Sequence, residues 1–237
     1  MAVDQARRVI WDRPARAAKG PVPSLTRDEI ARTAVGIADA EGLDAVSIRR
    51  VSMALGVGAA SLYRYVDNKD ELFDLMVDAT EGEDAPPPAL TGDWRRDLSA
   101  FGRRTRDVMI RHPWLSQLAA GRPGFGPNAL AWTEHGLAAM DPLALGADDR
   151  LIASEVLISF VRGFVTRELA QQQGLQRSGM DADAWARTME SYVERLLSTG
   201  LYPRFSEIVR DAELPHEESR DELFEAGLRR VLDGISP

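Results

Sequence analysis

Cysteine is absent from the 237 residues. That excludes a disulfide framework and any thiolate metal site, and it suits a reducing, cytoplasmic setting. Histidine is scarce: His112, His135 and His216 are too widely spaced to form a metal-ligand cluster. No apolar run approaches the roughly 20 residues that span a bilayer. The amino end lacks the basic, apolar and small-residue series of a secretory signal. Neither a membrane segment nor export is therefore expected. Glycine-rich phosphate loops and a serine elbow are missing too, and no two carboxylates can be set opposite each other across a cleft. Enzymatic chemistry and a bound cofactor are not expected. Nor does any stretch alternate apolar and polar residues as a half-buried strand does. What remains is helical periodicity, and the fold class expected is all-α, with nine or ten helices.

The net charge is -8, but it is unevenly spread. Residues 1–66 hold ten Lys or Arg against seven Asp or Glu, a balance of +3. Residues 67–237 hold nineteen against thirty, a balance of -11. A basic head on an acidic body fits a nucleic-acid partner for the head, while the acidic body limits non-specific adhesion.

The stretch Thr26–Met76 reads as three short helices feeding a fourth. Thr26 with Glu29 is a capping box, and Ile30, Ala34, Ile37 and Ala38 give the first helix one apolar face. Gly42 stops it. Ser47 is placed to cap a second helix with Ile48, Val51 and Leu55 inward. Gly56 allows a tight turn, and a third helix carries Leu62 and Val66. Asn68 with Glu71 makes another capping box, which opens a helix expected over 69–80, with Leu72, Phe73 and Met76 toward the core. Two helices of about eight residues joined by a glycine turn make a helix-turn-helix, whose second member fits a DNA major groove.

The run from Leu55 to Leu72, LGVGAASLYRYVDNKDEL, resembles the signature of the tetracycline-repressor (TetR) family, roughly LGV-x-x-x-x-LY-x-H-V-x-x-K-x-x-L. The resemblance implies a three-helix DNA-binding head followed by a larger helical body that binds a ligand and dimerises. It implies that Tyr63 contacts DNA backbone and that Lys69 holds a phosphate at the start of the fourth helix. Tyr65 stands where the family commonly has histidine, and either side chain can donate to a phosphate. Arg64 is the candidate base reader, since arginine pairs bidentately with guanine; its alternatives are a phosphate contact or a free side chain. Ser61, Arg27, Arg49 and Arg50 are further candidates for DNA contact, and Ser47 for capping, phosphate contact or both. Gly58, Ala59 and Ala60 depart from the family by being bare where longer reading side chains are frequent.

Residues 1–25 form a basic arm broken by prolines, with Arg7, Arg8, Arg13, Arg16 and Lys19. It is either a loose tail or a segment that follows the phosphate backbone, and Trp11 is a residue that could dock on the protein. The DNA-binding domain with its linking helix is placed at 26–80. EGEDAPPPALTG, at 81–92, marks a soft boundary, and the body is placed at 92–237. Within the body, helices are expected over 94–111, 128–140, 149–173, 181–199 and 219–233, with a short one around Trp114–Leu118. The helix over 149–173 carries two apolar ridges, Ile152–Val156–Phe160 and Leu157–Val161–Val165, and Gly163 marks a place where another backbone approaches. Met109, His112, Trp114, Trp132, His135, Phe160, Phe164, Trp185 and Met189 are the candidate lining of a site for a small apolar or amphipathic ligand. In TetR-like proteins the long late helix and the last helix of each subunit make a four-helix interface. The alternative is that the last helix folds back on its own body. The expected function is a homodimeric, ligand-released repressor on a palindromic operator; the alternative is a DNA-silent helical ligand-binding or adaptor protein.

Overall fold

The computed structural model describes residues 9–13, 25–118, 124–179, 182–211 and 220–235. The chain divides into two compact units, Met1–Leu145 and Gly146–Pro237. Among the described residues every regular element is helical, with eleven α-helices and four short 3-10 turns. The excess over nine or ten comes mainly from a helix at 203–211 that the sequence reading left unassigned.

In the first unit, α1 (Arg27–Glu41) begins at the capping box of Thr26 and Glu29 and ends at Gly42, whose φ of 86° is a backbone conformation that glycine adopts without strain. A 3-10 turn over Leu43–Ala45 leads to α2 (Ile48–Ala54), where the Ser47 hydroxyl accepts from the Arg50 amide at 3.1 Å. Gly56, with φ of 68°, turns the chain toward α3. That helix is only Ala59–Leu62, four residues rather than eight. No side chain caps its start, and it tightens at once, with Tyr65 N bonding to Leu62 O at 2.8 Å. α4 (Lys69–Glu81) is capped by Asn68, which accepts from the Glu71 amide at 2.9 Å. The second half of the expected box is rearranged, because the Glu71 carboxylate accepts from the Asp67 amide at 2.7 Å. Ile30, Ala34, Val46, Val51, Leu62, Val66, Leu72 and Met76 form the head's core, each with essentially no exposed surface. Burial of about 1.5–3 kcal/mol for each larger side chain is what holds such short helices together.

α5 (Trp94–Arg111) starts at Asp93, whose carboxylate accepts from Arg95 and Arg96 amides, and ends at His112 before Pro113. α6 (Leu115–Leu118) is one turn, and α7 is Pro127–Ala138. The start of α7 is capped from another helix: Asp78 of α4 accepts from the amides of Asn128 and Ala129, both at 3.0 Å. Gly126 makes this possible, since a Cβ there would lie 2.1 Å from the Asp78 carboxylate oxygen.

The second unit holds α8 (Ala147–Ser178), α9 (Ala182–Ser198), α10 (Pro203–Asp211) and α11 (Arg220–Ile235). α8 is longer than expected at both ends. Its two ridges have opposite fates: Leu157, Val161 and Val165 are buried, whereas Ile152 and Val156 are exposed and Phe160 is half-buried. α11 packs on α8 of the same chain and buries Phe224, Leu228 and Leu232 there. The face expected to meet a second subunit is thus largely covered within the chain. The expected caps Asp181 and Ser219 lie outside the described residues.

Candidate nucleic-acid interface and ligand-lining residues

The second helix hairpin of the head presents its polar side chains outward. Tyr63 is 55% exposed, Arg64 and Lys69 are exposed, and Ser61 is half-buried beside Leu62. Lys69 opens α4, where amides left unpaired by the helix favour an anion. Its Nζ lies 5.1 Å from the centre of the Phe73 ring, which supports the ammonium group from below. Gly58 and Ala60 are exposed and Ala59 half-buried, so the leading turn of α3 offers backbone and methyl groups only. On α2, Arg49 is exposed, whereas Arg50 pairs with Glu41 at 2.6 Å. Both members of that pair are half in water, which leaves it weak enough for a phosphate to displace.

Two expected DNA contacts, Tyr65 and Arg27, are placed differently. Tyr65 is only 4% exposed and packs in the head, on the face it shares with Leu62, three residues back, and with Val66. Arg27 turns back to donate to the Arg13 carbonyl at 3.1 Å, and burial beside Arg13 holds its pKa below the ordinary value. Ser47 caps α2, one of the roles expected of it. Arg13, read as part of a basic arm, is instead paired with Asp67 and Glu71.

The candidate ligand-lining residues fall in both compact units. In the first, His112 is buried with Nδ1 2.8 Å from Asp39 of α1 and Nε2 3.0 Å from Glu83. The Trp114 indole donates to the same Asp39 oxygen at 2.7 Å. Burial works to raise the Glu83 carboxyl, but His112 and Arg111 outweigh it and hold it below the usual range. His112 and Trp114 therefore tie the end of α5 to α1, and their polar atoms are occupied. Trp132 of α7 donates to the Glu81 carbonyl at 2.9 Å, with the Arg104 guanidinium stacked 4.0 Å over its ring. His135 stands edge-on to Trp132 at 5.4 Å, and burial lowers its pKa against the pull of Asp97. Met109 is buried. In the second unit Phe160 and Phe164 of α8 pack on Phe224 of α11, with ring centres 5.7 and 5.3 Å away. Trp185 is exposed and Met189 half-buried on α9. Asp39, Glu83 and Glu81 are the residues that sequence reasoning missed. Nothing in their spacing links them to His112, Trp114 or Trp132, which are 29 to 75 positions away.

Residues 26–76 match the family described as bacterial regulatory proteins, tetR family, and residues 86–237 match the tetracyclin repressor-like C-terminal domain. The HTH-type transcriptional repressor DrrR1 of Streptomyces coeruleorubidus is 39% identical over 96% of this chain and 83% of that protein. The crystal structure of the Streptomyces coelicolor TetR family protein ActR in complex with actinorhodin is similar at a TM-score of 0.74 and 30% identity. It covers 90% of this chain and 95% of its own. The ActR complex with (S)-DNPA gives a TM-score of 0.72 at the same identity, over 90% and 98%. Among the described residues, no helix is long and apolar enough to cross a membrane.

Proposed function

This chain belongs to the TetR family of bacterial transcriptional regulators, and from that premise we propose that it is a homodimeric repressor released from its operator by a small apolar or amphipathic ligand. The observation that carries the reading is the outward row Tyr63–Arg64 with Lys69 at the start of α4, on the second helix hairpin of a head that matches the family from 26 to 76. Tyr63 and Lys69 hold phosphates and Arg64 reads a base edge, with Arg49 and Arg50 on the flanking backbone. The DNA-binding domain is 26–80 and the ligand-binding and dimerisation body 92–237. Such a regulator works on chromosomal DNA in the cytoplasm, and its role is not enzymatic.

Support for a ligand comes from ActR, solved with actinorhodin and with (S)-DNPA. In this chain the polar atoms of His112 and of the Trp114 and Trp132 indoles are already occupied, so an apolar molecule would be held in the body by apolar contact rather than by those groups. A ligand that favours one head spacing over another lowers DNA affinity by linkage, without chemistry. Two heads on a two-fold axis read half-sites about one helical turn apart.

The dimer seam lies on α8. Ile152, Val156, Ser159, Gly163, Thr166 and Ala170 recur at alternating spacings of four and three, all are exposed, and nothing approaches within 4 Å of a Cβ built at Gly163. A stripe of apolar and small residues at heptad spacing fits a second helix packed closely against it.

The test is a gel shift with the DNA flanking the protein's own gene, repeated with a panel of aromatic and apolar compounds. A shifted band that a compound reverses is expected. Ligand binding without any DNA shift would favour a DNA-silent binding protein, the reading that the bare surface of Gly58, Ala59 and Ala60 leaves open.

A further inference from the structure

Ile10–Asp12 forms a 3-10 turn well ahead of the helix-turn-helix, yet it is built into the head. Ile10 is 1% exposed and joins Ala31 of α1, Val66 and Leu75 of α4 in one apolar cluster, with Trp11 packed against it. From this seat Arg13 reaches the start of α4. Its Nη1 lies 2.5 Å from an Asp67 oxygen, and its Nη2 pairs with Glu71, itself buried. Its carbonyl in turn accepts from Arg27. Asp67 and Glu71 bracket Asn68, Lys69 and Asp70, the residues at which a phosphate must arrive if Lys69 is to hold it. Three acidic residues within five positions would otherwise surround one lysine at that point. Unit charges a few ångströms apart near a protein surface interact by several kcal/mol, so uncompensated carboxylates there would oppose the phosphate.

We propose that Arg13 is a positioning residue for DNA binding, which neutralises Asp67 and Glu71 in fixed pairs so that the start of α4 can accept a phosphate. The proposal rests on the repressor reading. It assigns Arg13 to the protein's own scaffold rather than to an arm lying on DNA, and it makes the buried Ile10 and Trp11 the anchor that delivers its charge.

Full-length wild type and variants are titrated into a labelled duplex from the DNA flanking the gene and a mixed-sequence duplex at low salt, with binding read by fluorescence anisotropy. Arg13→Gln is expected to weaken binding to both duplexes about five- to tenfold, the scale of one phosphate contact. Arg13→Lys, which keeps the charge, is expected to stay within about twofold of wild type. The decisive variant is Arg13→Gln combined with Asp67→Asn: removing the unmatched carboxylate returns affinity to within about threefold of wild type. A purely structural Arg13 would leave that double variant as weak as Arg13→Gln, and that result overturns the proposal. Asp67→Asn alone carries the test if Arg13→Gln does not fold: its carboxylate is already neutralised by Arg13, so affinity should stay within about threefold of wild type, and a gain of about tenfold or more would show that the pair does not silence Asp67 and overturns the proposal. Wild type that binds DNA while Arg13→Gln binds equally well overturns this inference alone. Wild type that binds neither duplex overturns the repressor reading and this inference with it.

Discussion

Lys69 and Arg64 stand five residues apart in the sequence and serve different ends. Lys69→Ala is expected to weaken every DNA sequence by a similar factor and to lower the salt dependence by roughly one phosphate's worth. Equal salt slopes for variant and parent would remove the phosphate role. Arg64→Ala should instead compress the ratio between best and mismatched sites, by about 1–3 kcal/mol if it pairs with a guanine. A randomised-site selection that returns the parent's preference would take Arg64 off the reading surface. Asp97 gives a prediction about pH. Burial works to raise its carboxyl, but the Thr91 hydroxyl and the amides of Thr91 and Gly92 outweigh it and hold it below the ordinary value. A depressed carboxyl contributes stability that is complete above its unfolded pKa of about 4 and is lost as pH falls through the lower folded value. Glu83 acts in the same direction, whereas Asp78, raised mainly by burial, acts in the opposite one. Comparing wild type with Asp97→Asn isolates one group: the gap in melting temperature should be open at pH 7 and close below about pH 4. A gap independent of pH would exclude ionic stabilisation by Asp97.

At the scale of elements, α7 and α11 are each held by a glycine that lets another side chain in. The Asp78 cap on α7 needs Gly126, so Gly126→Ala should force the carboxylate out and cost about 1–3 kcal/mol from the lost bonds to two amides. Thermal unfolding measures it, and a wild-type melting point would mean the cap is not needed. In α11 a Cβ at Gly227 would lie 2.6 Å from the Phe160 ring, which explains a glycine in mid-helix at a cost of about 1 kcal/mol in propensity. Phe224→Ala removes the ring between Phe160 and Phe164 and should cost about 3–5 kcal/mol.

For the whole molecule, operator affinity depends on two heads held together, and the exposed stripe of α8 is where that can be broken without emptying a core. Val156 is 47% exposed, so Val156→Glu leaves the single chain's packing intact. It should yield monomers in analytical ultracentrifugation and a steep fall in affinity for the palindrome, since one head holds one half-site. A dimer that survives the substitution would move the seam elsewhere. Deleting 219–237 would be a poorer probe, because α11 buries Phe224, Leu228 and Leu232 against its own α8 and its loss would expose that core.

Local chemistry made much of this protein readable in advance. Capping residues, glycine stops and helical spacing act within a few positions, so Thr26, Gly42, Ser47 and Asn68 marked helix ends wherever they stood, and the run from Leu55 to Leu72 placed the helix-turn-helix and its family. The helix at 203–211 carries a legible pattern as well, since Leu201, Tyr202, Phe205, Ile208 and Val209 recur at helical spacing; in the structure all five are exposed. Tertiary structure decided what depends on partners far away in sequence. It gave His112 and Trp114 to Asp39, and Trp132 to Glu81, pairings that no periodicity encodes. It placed Arg13 on Asp67 and Glu71, 54 and 58 positions on, turning a residue of an apparent tail into part of the head. Periodicity says that a helix has an apolar face; only the folded chain says whether that face meets its own core, as with Leu157 and Val161, or is left open, as with Ile152 and Val156.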